Sequence, residues 1–237
     1  MNALVPNRFL FGFEFPLRYR TAMPAIDGGL CDWTDAELLP ALGEIEGRSE
    51  FAKVWACWNE TGIAVAVQVT GKRRPLKCDP DRFWTGDNLR ICTDMRDARS
   101  VKRATRFCQQ FFFLPTGGGT NASAPVAGVN KIKRAREDAP QVPAESMKVA
   151  SRVGKSGYSL AAYIPAECLN GFDPVEHPRI GFYYTLEDRE LGQQYLTVGD
   201  DLYWYIDPST WATAVLHRPA QHTVDGTAAK SSEFDQT

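Results

Sequence analysis

Residues 62–70, GIAVAVQVT, alternate without a break: Ile63, Val65, Val67 and Val69 fall on one side of an extended chain, and small or polar residues take the other. Side chains of a strand point to opposite faces in turn, so this segment is a half-buried β-strand with one face on a core. Just before it, FAKVWACW (51–58) is a second β-rich run, and Asn59-Glu60-Thr61-Gly62 between them has the composition of a hairpin turn.

The same grammar continues outward. NLRICTDM (88–95), RFCQQFFFLP (106–115), SMKVASRV (146–153), YSLAAYIP (158–165), RIGFYYTLED (179–188) and WATAVLH (211–217) are rich in aromatic or β-branched residues and are separated by turn signals. Gly154-Lys155-Ser156-Gly157 predicts another hairpin. Phe111-Phe112-Phe113 puts aromatics on both faces of one strand, which predicts a central strand covered on each side. Helical signals are few. DWTDAELLPAL (32–42) has room for a turn or two capped near Thr34 before Pro40 interrupts it, and Pro165–Leu169 suits one short turn. The expected fold is all-β: an antiparallel β-sandwich, with one or two short helical turns, built as a single domain over residues 8–218. Lys72–Gly86 and Thr116–Pro143 read as long irregular loops, and residues 219–237 as a flexible C-terminal tail.

Composition narrows the function. The chain has 237 residues, 43% hydrophobic and 24% charged, with 27 Lys+Arg against 29 Asp+Glu and a net charge of -2. That length buries a sizeable core without disulfides, and the charge balance argues against nucleic acid as a partner for the molecule as a whole. No apolar run approaches the ~18 residues of a membrane span. The N-terminal MNALVPNRFLFGFEFPLRYR lacks the pattern of a secretory signal, so the expected compartment is the cytoplasm. The six cysteines form no CxxC pair and read as free buried thiols, with disulfides an alternative if the protein is exported. With three histidines, none near a cysteine pair, zinc is not expected. Trp33, Trp55, Trp58 and Trp211 read as core residues.

The order of the motifs resembles the family 9 carbohydrate-binding modules and their wider DOMON-like superfamily. The resemblance is carried by IDGGLCDW (26–33), the strand pair FAKVWACWNETGIAVAVQVTGK (51–72), FWTGDNLRICTD (83–94), AAYIPAECL (161–169), IGFYYTLEDRE (180–190) and IDPSTWATAVL (206–216). No one motif is specific; their collinear order is. The resemblance implies a β-sandwich that holds a sugar between two aromatic side chains. Trp84 falls on the first aromatic position, Tyr205 on or beside the second, and Trp204 is the neighbouring candidate. A pyranose offers C–H patches that pack on aromatic faces and hydroxyls that need polar partners at the edge. Asp87, Asn88, Arg90, Gln109 and Gln110 are the polar candidates. Arg90 stands where the family carries an acid, and a glutamine where binding members carry the arginine of an acid–base pair, so that pair is absent as such. The planar fork of Arg90 suits an anionic group, which leaves room for an acidic saccharide.

Other features point elsewhere or nowhere. Arg96, Arg99, Lys102, Arg103 and Arg106, with Lys131, Lys133, Arg134 and Arg136, could form one basic edge, without the interleaved aromatics of a single-strand stacking platform. Asp79, Asp81 and Asp87 could ligate a structural calcium, although their spacing matches no defined loop; no other cofactor is expected. Met95, Met147 and the late histidines offer no pattern for haem. Asn59-Glu60-Thr61 and Asn121-Ala122-Ser123 satisfy the glycosylation sequon, which is idle without export. There is no nucleophile elbow, phosphate-binding loop, HExxH or dinucleotide fingerprint. The expectation is therefore a non-catalytic glycan-binding module. The alternative is a protein–protein scaffolding module with a degenerate sugar site, and an enzyme would need a cleft with paired carboxylates.

Overall fold

The computed structural model describes residues 12–218; residues 8–11 and the expected tail at 219–237 lie outside the described residues. Eleven strands form one large mixed sheet: β1 (Glu14–Tyr19), β2 (Ala52–Asn59), β3 (Gly62–Thr70), β4 (Asn88–Asp94), β5 (Cys108–Gly118), β6 (Ala124–Asn130), β7 (Lys148–Val153), β8 (Gly157–Pro165), β9 (Arg179–Asp188), β10 (Gly192–Tyr195) and β11 (Ala212–His217). Along the sheet the order is β6-β5-β4-β9-β11-β1-β2-β3-β8-β7. The two ends of this path, β6 and β7, pack against each other, and Ser151 of β7 donates to the Pro115 carbonyl of β5 at 2.6 Å. The sheet is thus nearly closed, which leaves little open edge.

The founding hairpin forms as its sequence dictates. β2 and β3 pair antiparallel from Ala52↔Val69 to Asn59↔Gly62, leaving Glu60 and Thr61 as the turn. Asn59 Oδ1 accepts from the Thr61 amide and hydroxyl at 2.9 and 2.6 Å. Gly62 has φ +149°, and a Cβ there would lie 2.3 Å from the Ile164 carbonyl oxygen of β8, so no side chain fits. Ile63, Val65, Val67 and Val69 enter the main core. The opposite face is also covered: Trp33 and Trp55 pack with Cys57, Ala64, Ala66 and Ala161 in a second cluster. The alanines of GIAVAVQVT are small because indole rings lie over them, and the strand is buried on both faces over most of its length. Trp58 and Trp211 are likewise buried in the main core.

Three strands depart from the sequence expectation. β1 carries Pro16 and reads as a broken apolar stretch. It nevertheless pairs parallel with β11 over Glu14–Arg18, and parallel with β2 only at Arg18 and Tyr19. A proline cannot donate to a ladder, and it is tolerated here where β2 has not yet reached the strand. The sheet is therefore mixed rather than purely antiparallel. β6 lies inside the stretch expected to be an irregular loop, where alanine, proline and glycine give no β signal; it is held by pairing with β5 from Gln110↔Asn130 to Leu114↔Val126. β10 extends the far half of β9, whose near half pairs with β11. Among the described residues helical structure is limited to short 3₁₀ turns, including Asp35–Glu37 with Thr34 as its cap, and Ala166–Cys168.

Candidate site on the face of β4, β5 and β9

Register places the candidate residues. On β4, Asn88, Arg90, Cys92 and Asp94 share one face; Arg90 lies opposite Phe112 of β5 and Thr185 of β9, and Asn88 opposite Glu187. Gln110 and Phe112 follow on β5, with Asn130 and Gly128 opposite them on β6. Gln193 of β10 stands opposite Glu187.

The loop before β4 delivers the first aromatic. Asp79 caps the turn Pro80–Thr85, its side chain accepting from the Asp81 and Arg82 amides. Within that turn Phe83 is buried and stacks flat on Phe112, with ring centroids 4.1 Å apart and an interplanar angle of 4°. Trp84 leans edge-on against Phe83 at 5.2 Å and is 55% exposed. Phe112 lies directly over Gly128, where a Cβ would fall 2.1 Å from its Cζ. Glycine is required at this close approach.

Asp87 and Asn88 hold this loop rather than face outward, and both are fully buried. Asn88 Nδ2 donates to the Phe83 and Gly86 carbonyls at 2.9 and 2.7 Å. Asp87 Oδ2 accepts from the Lys77 amide at 2.7 Å, and Oδ1 from the Arg189 amide at 2.9 Å. Lys72 Nζ lies 3.4 Å from Asp87 and 2.6 Å from Asp188, all three side chains being buried. Glu190 accepts from the Arg73 and Arg74 amides at 2.9 and 2.8 Å. Three carboxylates thus pin both ends of the loop that carries Trp84. Asp79, Asp81 and Asp87 do not converge, and among the described residues no group of three or more His, Cys, Asp or Glu is placed to hold a metal ion.

Arg90 is paired. Its Nη2 lies 2.9 Å from Glu187 Oε1, and its guanidinium covers the Trp204 ring at 4.8 Å from the centroid. Glu187 Oε1 also accepts from Gln193 Nε2 at 2.6 Å. Burial pushes the Glu187 carboxyl above its ordinary pKa, while Arg90 and Gln193 pull the other way. An acid–base pair is therefore present on this face, made by Arg90 of β4 and Glu187 of the neighbouring strand β9. No sequence rule could find Glu187 (in LEDRE it is one of several surface-type acids), because only the β4–β9 register brings it to Arg90.

The second aromatic group follows the turn Asp200–Leu202. Trp204 is fully buried, stacked on Tyr183 at 4.9 Å, with its indole N–H on Asp200 at 2.8 Å. It is the floor beneath Arg90 and not an open stacking surface. Tyr205 is half-buried, and Gln110 Nε2 holds its carbonyl at 2.7 Å while Asn130 donates to Gln110 Oε1 at 2.8 Å. The exposed ring here is Tyr203, 58% accessible, with left-handed φ of 53°. A bulky residue in that conformation carries about 1 kcal/mol of strain or more, a mark found at functional positions. Tyr203 and Phe112 are the aromatics that motif reading misses. Gln109 points to the opposite side of β5, bound to the Cys168 carbonyl and the Asn170 amide. It is not part of this face.

No protein-family model matches the chain, and no curated protein matches it. Solved structures do. The chain is similar to a carbohydrate binding module family 9 (CBM9) from Caldicellulosiruptor kristjanssonii in complex with cellotriose: TM-score 0.63 at 13% identity, over 90% of this chain and 97% of that one. It is also similar to a CBM9 from the same organism in complex with glucose: TM-score 0.63 at 13% identity, over 88% of this chain and 98% of that one. At this identity the likeness is one of fold, and it spans most of the chain.

Proposed function

We propose that this protein is a non-catalytic carbohydrate-binding module, and that its near-closed sheet is the β-sandwich expected of such modules. The observation that carries the reading is one sheet face on which the pair Arg90–Glu187 neighbours two aromatic groups, Phe112 opposite Arg90 in the ladder and Trp204 beneath its guanidinium, each group offering one exposed ring. Trp84 on its Phe83–Phe112 base forms one group, and Tyr203 with Tyr205 forms the other. The same fold carries cellotriose and glucose in the two similar modules.

The chemistry suits a neutral sugar. Rigid rings offer area to the C–H face of a pyranose with little loss of conformational entropy. Arg90 donates and Glu187 accepts, so together they match a hydroxyl, which does both. Because the charge of Arg90 is already countered at 2.9 Å, an anionic group is not called for at this position.

Isothermal titration with glucose, cellotriose and other neutral oligosaccharides tests the reading. Binding at micromolar to millimolar affinity is expected, weakened about tenfold or more by Trp84→Ala and by Tyr203→Ala, since each removes a stacking surface of about 1–2 kcal/mol. Wild-type protein that binds no saccharide at about 10 mM, or variants that bind as tightly as wild type, would refute it.

A further inference from the structure

A dense group of positive charge lies on the loop after β6 and on the segment packed against it. Residues 131–138 fold back against residues 102–106: Arg103 donates to the Arg134 and Ala135 carbonyls at 2.9 and 3.3 Å, and the Arg136 amide to the Ala104 carbonyl at 2.7 Å. This brings Lys102, Arg103, Lys133, Arg134 and Arg136, all exposed, onto one surface. The acids of the same loop are occupied by other cations: Glu137 faces Arg106 at 3.6 Å, and Asp138 faces Lys131 at 2.7 Å. No carboxylate among the described residues pairs with any of the five cations. In a chain of net charge -2 this is a local concentration of charge.

We infer that this basic edge binds an acidic polysaccharide, one carrying carboxylate or sulfate groups along its length. Nucleic acid is disfavoured because the edge lacks an open ring for a base: Phe107 is covered by the guanidinium groups of Arg96 and Arg106 at 4.1 and 5.1 Å. A lipid surface is disfavoured because the one large apolar residue of the loop, Ile132, is buried in the core. The edge is also continuous with the aromatic face, for the loop leaves β6 at Asn130, which holds Gln110, which holds Tyr205. The choice of a saccharide partner rests on the carbohydrate-binding reading above.

The test uses chondroitin sulfate oligosaccharides, neutral cellotriose, a single-stranded DNA oligomer of equal charge, and vesicles containing anionic lipid. The wild-type chain is compared with the triple variant Lys133→Gln/Arg134→Gln/Arg136→Gln, whose altered side chains are solvent-exposed and outside the aromatic face. Expected are binding of chondroitin sulfate that weakens on the order of tenfold from about 50 to about 200 mM salt, and a further loss of about tenfold in the triple variant, with cellotriose affinity unchanged. Failure of the wild type to bind, an unaffected triple variant, or equal or tighter binding of the DNA or vesicles would overturn the inference. Patch-dependent binding of chondroitin sulfate without any binding of cellotriose would uphold the basic edge and refute the aromatic site instead.

Discussion

Lys72→Met is the sharpest test of how this fold positions its site. The substitution keeps the apolar stem of the side chain and removes only the ammonium, leaving Asp87 and Asp188 facing each other in the interior. All three groups are buried, with side-chain accessibilities of 4%, 1% and 0%, so solvent screening gives little relief. Breaking a buried pair by removing one partner costs about 3–5 kcal/mol. Four backbone amides still donate to the carboxylates, from Lys77 and Arg189 to Asp87 and from Glu190 and Leu191 to Asp188, which sets the expectation near the lower end, about 3 kcal/mol. For a domain of this size that corresponds to a fall in Tm of roughly 6–12 °C. Urea unfolding reads it directly as a lower midpoint at unchanged slope. Adding Asp188→Asn to Lys72→Met removes one of the two uncompensated charges and is expected to restore about 1–2 kcal/mol. A loss below about 1 kcal/mol in the single variant, or a double variant less stable than the single, would refute the argument that the ammonium neutralises this cluster.

Three further outcomes follow from the same geometry. Gly128→Ala drives a methyl into the Phe112 ring; urea midpoints should report a loss of about 1–3 kcal/mol, with weaker sugar binding as the stack under Trp84 shifts, and a neutral substitution would contradict the close approach. Burial raises the Glu187 pKa above its ordinary value of 4.5, so the fold favours the protonated form. Its contribution to stability is full below about pH 4.5 and declines as pH rises through the folded-state pKa; Glu187→Gln should flatten that part of the stability–pH curve, and an identical slope would count against it. Burial pushes the Cys57 and Cys108 thiols up to about 12 and Cys92 higher still, whereas Cys31 is exposed. The thiol reagent DTNB should therefore label Cys31 fast in the native protein and reach those three only on unfolding; rapid native labelling of any of them would refute their burial.

Much of the architecture is legible in the chain because it rests on local patterning. The period-two alternation of 62–70, the Asn59–Gly62 turn and the aromatic runs each specify a strand or turn through nearest neighbours. The six cysteines are unpaired in the structure; four are the buried thiols expected, but Cys31 is exposed and Cys78 half-buried. Where local signals are weak or contrary, the fold overrides them. β6 exists because β5 offers it a ladder, and β1 tolerates Pro16 because its β2 side is unpaired there.

The candidate site divides along the same line. Its chain-local parts, a loop ending in Phe83-Trp84 and a tyrosine-rich turn before Asp207-Pro208, are written in consecutive residues. Which of those rings is open depends on what packs behind each one: Trp204 goes under Arg90, and Tyr203 comes out. The roles of the polar residues also depend on partners distant in sequence. Arg90 alone suggests an anion; beside Glu187, 97 residues away, it becomes half of a neutral pair. The sequence by itself determines most of the strands, the turns and the aromatic-bearing loops, because backbone periodicity and turn chemistry act over a few residues. Only the tertiary structure decides which charges cancel and which remain, because Coulomb energy depends on distance and burial, and both are set by strand register.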